Sequence, residues 1–100
     1  MNLQDVLNKL APKKHTYSIE GIDLYIHRAR AKDISKLTDP MECVSVCTCD
    51  EIGDPIFSTE DIEGRVNLNV LDSEVVAKIY MAIMDLYKES DVVDEIEKNN

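Results

Sequence analysis

Tryptophan is absent from this 100-residue chain, and phenylalanine occurs once, at Phe57. Any core must therefore be built mainly from aliphatic side chains, cysteines and tyrosines. Glycine and proline occur three times each, and glycines at 21, 53 and 64 cannot build a phosphate-binding loop. No apolar run approaches the roughly 20 residues that a membrane-spanning helix needs. The opening MNLQDVLNKL lacks a charged stretch followed by an apolar one, so no signal peptide is expected, and no membrane partner. Cations are scarce: 11 Lys/Arg stand against 20 Asp/Glu, a net charge of −9. That balance argues against DNA or RNA as a partner, because phosphates must be met by cations. Three cysteines, an odd number without a secretion signal, read as reduced thiols of a cytosolic protein.

What remains is enough for one fold. The apolar share of 44% supports a core, and residues 1–100 are expected to form a single domain. A domain of this size is modest in stability and gains from self-association. The charge is unevenly placed. Residues 1–36 carry seven Lys/Arg and four Asp/Glu, whereas residues 37–100 carry four Lys/Arg and sixteen Asp/Glu. The plainer reading is a solvated acidic face. The sharper one is head-to-tail self-association, basic end to acidic end.

Asn2 is placed to cap a helix with Asp5 in its first turn. Leu3, Val6, Leu7 and Leu10 follow at helical spacing on one face, and Pro12 ends the run. Residues 1–12 therefore read as a short amphipathic helix that needs a docking surface, either its own core or another subunit. Residues 13–28 hold two runs of alternating apolar and polar residues around Glu20-Gly21, the pattern of a β-hairpin. Arg28–Leu37 reads as a short helix or turn. Thr38-Asp39-Pro40 then starts a helix, with Met41, Val44 and Cys47 or Thr48 facing inward, although a strand over 43–49 competes. Ser58-Thr-Glu-Asp61 matches a capping box, with Phe57 and Ile62 at the spacing of a hydrophobic staple, which predicts a short helix ending at Gly64. Asp72 or Ser73 starts the longest helix, with Val75, Val76, Ile79, Tyr80, Ile83, Leu86 and Tyr87 as its stripe. Met81 and Met84 lie beside that stripe or outside it. Residues 30–88 are thus expected to be helical, and 89–100 to be a tail that continues the last helix or frays. The fold class expected is α+β, mainly α-helical, with an N-terminal β-hairpin packed against a small helical bundle.

The stretch CDEIGDPIFSTED, from Cys49 to Asp61, is the densest local signal. As a calcium loop from Asp50 to Asp61 it fails: Gly53 falls at the fourth position where the sixth is needed, and Ile52 offers no side-chain oxygen at the third. Cys43, Cys47 and Cys49 have a C-x3-C-x-C spacing that fits neither paired zinc ligands nor an iron–sulfur motif. On a helix Cys43 and Cys47 share a face and Cys49 does not. Only a strand would bring all three together, with His15 or His27 as a fourth ligand. A Cys–His nucleophile would lack a glycine-rich nucleophile turn and an oxyanion loop. No catalytic residue, metal or cofactor is assigned, and the chain is not read as an enzyme. Met81 and Met84 beside Tyr80 and Tyr87 offer an adaptable apolar surface for a partner helix, unless they fill the core.

The order of elements resembles the tail assembly chaperones of long-tailed bacteriophages and prophages. The resemblance rests on a short first helix (LQDVLNKL), a hairpin around a glycine (YSIEGIDLYIHRA), and an acidic-glycine turn at Asp50 and Gly53. It continues through Pro55-Ile56-Phe57, the acidic helix start at Ser58–Asp61 and the valine- and leucine-containing last helix, Val75–Leu86. The cysteine cluster is not part of that pattern. The resemblance implies a non-enzymatic role in tail morphogenesis, in the host cytoplasm and outside the mature virion. Its implied partners are the tape measure protein, which it would keep soluble, the major tail (tube) protein, which it would help recruit, and further copies of itself. It also implies a longer form made by ribosomal frameshifting. Glu97-Lys98-Asn99 is compatible with a slippery A-AAA-AAC, a reading that an AAG codon at Lys98 would exclude. The candidate partner-binding residues are Leu3, Val6, Leu7, Leu10, Tyr80, Met81, Met84 and Tyr87. The rival readings are a small acidic regulator that mimics nucleic acid and a thiol-based metal or redox protein.

Overall fold

The computed structural model describes residues 1–88, so the expected tail over 89–100, with Val92, Val93 and Ile96, lies outside the described residues. The chain opens with α1 (Leu3–Leu10), capped by the Asn2 side chain, which accepts from the Gln4 and Asp5 backbone N–H groups. After Pro12 come β1 (His15–Ile19) and β2 (Ile22–Ile26), paired antiparallel from His15↔Ile26 to Ile19↔Ile22. Their turn has positive φ at both central residues, 49° at Glu20 and 76° at Gly21. This is the twist-matched two-residue hairpin turn, in which glycine carries no Cβ penalty. A Cβ at Gly21 would meet nothing within 4 Å, so the cost of filling the position is purely conformational. Gly21→Val is expected to lower the unfolding free energy by about 1–2 kcal/mol, read from urea denaturation.

A 3-10 helix follows over Ala31–Lys36. Asp39 then caps α2 (Pro40–Cys47) by accepting from Met41 and Glu42, with Pro40 in the first turn. The competition between helix and strand over 43–49 resolves into both: α2 ends at Cys47, and Thr48–Cys49 forms β3, antiparallel to β2. Val44, Cys47 and Thr48 face inward and Met41 is half-buried. The turn at Asp50–Pro55 forms as expected. The Asp50 carboxylate accepts from the N–H groups of Ile52 and Asp54 at 3.0 and 2.9 Å, and Cys49 bridges Pro55. That oxygen is thus engaged by the loop's own backbone.

The helix predicted from Ser58 to Gly64 does not form. Phe57–Ser58 is β4, parallel to β5 (Val66–Asn67). The Ser58 hydroxyl donates to the Glu60 carbonyl instead of accepting from a helix N–H. Phe57 is a buried core residue rather than one half of a staple, and Ile62 is exposed. Five residues between cap and glycine offered too few helical bonds to outweigh burial of Phe57. The stretch expected to be helical over 30–88 is therefore interrupted by three short strands, although the α+β class stands. A second 3-10 turn, Leu68–Val70, leads to α3 (Ser73–Lys88). Asp72 accepts from Glu74 N–H at its start.

The core gathers Leu24 and Ile26 from β2, Cys43, Val44 and Cys47 from α2, Phe57, Leu68, and Val76, Ile79 and Ile83 from α3. Helices α2 and α3 pack directly on each other. No residue of α1 is buried.

Candidate interaction surfaces

The sequence-predicted binding residues fall into three groups. Leu3, Val6, Leu7 and Leu10 all remain exposed along one face of α1, with Leu10 at 79% and Leu3 at 76% exposure. The helix only borders the Ala29–Ala31 segment, with Val6, Leu7, Leu10, Ala11 and Pro12 lining a shallow groove of about 380 Å³ between them. Among the described residues, the core thus does not cover the apolar stripe of this helix.

Tyr80 and Tyr87 are engaged inside the fold. The Tyr80 hydroxyl donates to the Leu37 carbonyl at 3.0 Å, and the Tyr87 hydroxyl accepts from the Ala29 N–H at 2.8 Å. Two turns of α3 thereby clasp the irregular stretch after β2. Met84 is half-buried against the core, as is Tyr80. Met81 alone of this set is exposed, in a shallow depression beside Tyr17 and Ala77, flanked by Glu74 and Asp85. Of the expected surface on α3, one methionine therefore faces outward, and the tyrosines serve packing.

An apolar cleft of about 290 Å³ was not foreseen from the sequence. It lies at the turn end of the hairpin, where Ile19, Ile22 and Leu24 face Ile56, Phe57 and Val66 from the loop region and Leu71, Val75 and Ile79 from the start of α3, with Glu20 at its lining. Ile22 and Val66 are exposed at its mouth. The available signal was the hairpin itself: Ile22 follows the tight turn where a solvent-facing polar residue would be usual. Its other wall depended on the β4–β5 pairing, which the capping-box reading concealed.

A second cleft, of about 310 Å³, is polar. It collects Arg30, Lys32, Lys36 and Arg65 with Asp33 and Glu60, above Thr48, Cys49 and Ser58. Buried Asp33 pairs with Lys36 at 3.6 Å and Lys32 at 3.9 Å. His27 is also nearly buried, and its Nδ1 lies 2.7 Å from the Arg28 carbonyl, so Nδ1 carries the proton and donates. Burial lowers the His27 pKa below 6.5; the Arg28 hydrogen bond opposes this, and Arg30 reinforces it. The unfolded chain therefore takes up a proton on this histidine at a higher pH than the folded chain does. Its contribution to stability is fully present above about pH 6.5 and declines as pH falls below it. A melting temperature that drops between about pH 7.5 and 5.5, with a shallower drop in His27→Gln, is the expected result.

The three cysteines are buried and free. Cys43 and Cys47 share the inner face of α2, one turn apart, and their thiols influence each other. This lowers the Cys43 pKa and, together with burial, raises that of Cys47. Burial raises the Cys49 thiol as well. Cys49 borders the same cleft as His27, but a raised pKa is the reverse of what a thiolate nucleophile requires. No group of three or more His, Cys, Asp or Glu side chains suited to a metal ion occurs among the described residues. No helix among them is long and apolar enough to cross a membrane. No family model, curated protein or solved structure matches the chain.

Proposed function

We propose that the protein is a non-enzymatic binding module that acts as a phage tail assembly chaperone, holding amphipathic segments of the tape measure protein in solution and helping to recruit tail tube subunits. In this reading it works in the host cytoplasm and is absent from the mature virion. The observation that supports it most is an amphipathic helix whose apolar stripe, Leu3, Val6, Leu7 and Leu10, stays largely exposed beside the described core. Burying one leucine is worth about 1.5–3 kcal/mol, so several unburied side chains on one face favour a partner. The apolar cleft offers an aliphatic receptacle that suits an apolar anchor of a partner. The surplus of acids over the rest of the chain keeps such a complex soluble. The order of the first helix, the hairpin, the Asp50–Pro55 turn and the last helix supplies the link to tail assembly, whereas the helix start at Ser58–Asp61 that belonged to the same pattern is a strand.

The test is a pull-down of the tape measure protein of the same genome by the purified chain. Stoichiometric, salt-tolerant capture is expected, because the contacts are apolar. Absence of capture would remove the chaperone reading.

A further inference from the structure

We propose that the polar cleft beside the 3-10 helix Ala31–Lys36 binds a compact phosphate dianion, either free phosphate or the phosphate group of a small organic monoester. This goes beyond the binding-module reading above and does not depend on it.

The cleft reverses the charge balance of the chain. The sequence holds 20 Asp/Glu against 11 Lys/Arg, whereas Arg30, Lys32, Lys36 and Arg65 line the cleft against Asp33 and Glu60. Asp33 is buried and engages both lysines, Lys36 at 3.6 Å and Lys32 at 3.9 Å. Arg30 and Arg65 come from separate segments, and among the described residues neither has an ion-pair partner. A guanidinium presents a planar fork of N–H donors that fits an oxyanion bidentately. The lining hydroxyls do not share that role. Ser45, Thr48 and Ser58 already donate to the Glu42, Val44 and Glu60 carbonyls. The lining keeps an excess of two positive charges, and a phosphate monoester carries about −1.5 to −2 at pH 7.

Size and surroundings select a small ligand. A volume of about 310 Å³ lies at the lower end of ligand clefts, about 300–1,000 Å³. Val46 and Ile62 add apolar lining for a short carbon body. The charged residues next to the lining in sequence are Arg28 and four acids, Asp50, Asp54, Asp61 and Glu63. Asp50 accepts from the amides of its own loop, and Asp61 accepts from Asn67. Lys14, whose charge also reaches Cys49, donates to the Glu51 carbonyl. A nucleic acid or a long acidic peptide would have to cross these flanking acids on a chain of net charge −9. A single phosphate group meets mainly the cations of the cleft.

The test is a titration of the parent chain with inorganic phosphate and with glycerol 3-phosphate at low ionic strength, followed by amide NMR shifts. Saturable shifts confined to residues 27–36, 45–49 and 53–65 are expected at millimolar ligand, and added sodium chloride should weaken them. Arg30→Gln and Arg65→Gln should each weaken binding about tenfold. Both side chains are exposed, so the circular dichroism of these variants should match the parent. Lys78 pairs with Glu74 away from the cleft, and Lys78→Gln should bind as the parent does. Tighter binding of glycerol 3-phosphate supports the site and assigns it to an organic monoester; equal binding supports it and assigns it to free phosphate. Absence of saturable shifts, undiminished binding in the double variant Arg30→Gln with Arg65→Gln, or equal binding of acetate or of polyglutamate overturns the proposal.

Discussion

Truncating Ile83 to alanine is expected to lower the unfolding free energy by about 2–5 kcal/mol. Ile83 is fully enclosed between α3 and the rest of the core. Its removal forfeits both the transfer free energy of the side chain and the contacts of its neighbours with it. For a domain of this size, with a total stability of about 5–15 kcal/mol, that loss is a large fraction. A leucine truncated on α1 should behave very differently. Leu7 is 61% exposed, and Leu7→Ala should change the stability of the dilute protein by no more than about 0.5 kcal/mol. Urea unfolding of both variants at equal m-value makes the comparison. Equal losses would mean that α1 is docked on its own core.

Tyr87→Phe is the second substitution with a large expected effect, about 1–3 kcal/mol for the loss of one oxygen atom. The hydroxyl receives the Ala29 N–H at 2.8 Å. Phenylalanine keeps the ring packing but leaves that backbone donor without its acceptor, and an orphaned amide costs more than the bond itself contributes. Tyr80→Phe should cost less, about 0.5–1.5 kcal/mol, because it removes a donor from the Leu37 carbonyl, and carbonyls tolerate a missing partner better than amides do. Amide exchange at Ala29 should accelerate at least about tenfold in Tyr87→Phe. Unchanged exchange there would show that the clasp is not formed in solution.

The parts of this fold that were legible in the sequence are those decided within a few residues. Asn2 and Asp39 announce their helices because a cap acts on amides two or three residues away. Glu20-Gly21 announces the hairpin because its backbone needs positive φ. The stretch from Phe57 to Gly64 was misread for the same reason. Ser58 and Asp61 match a cap locally, but the pairing of Phe57 with Val66 and the burial of Phe57 are decided by distant partners. The tyrosines follow this rule too. Tyr80 and Tyr87 stand on an apolar stripe that suits an interface, but their hydroxyl partners lie 43 and 58 residues back along the chain. The apolar cleft draws its walls from three separate regions and was invisible for that reason. In contrast, the α1 stripe was readable, and the structure added that the core of the described residues does not cover it.

The hairpin sits between a tether and a receptacle, and that arrangement has a metric consequence. Its five-residue strands are about 17 Å long at 3.4 Å per residue. Helix α1 is tethered at the open end of this ribbon and the apolar cleft lies at its turn, so strand length sets the separation of these two surfaces. Adding two residues to each strand preserves which side chains face the core, since the pleat repeats every second residue. Such an insertion would move the two surfaces about 7 Å further apart while leaving both chemically unchanged.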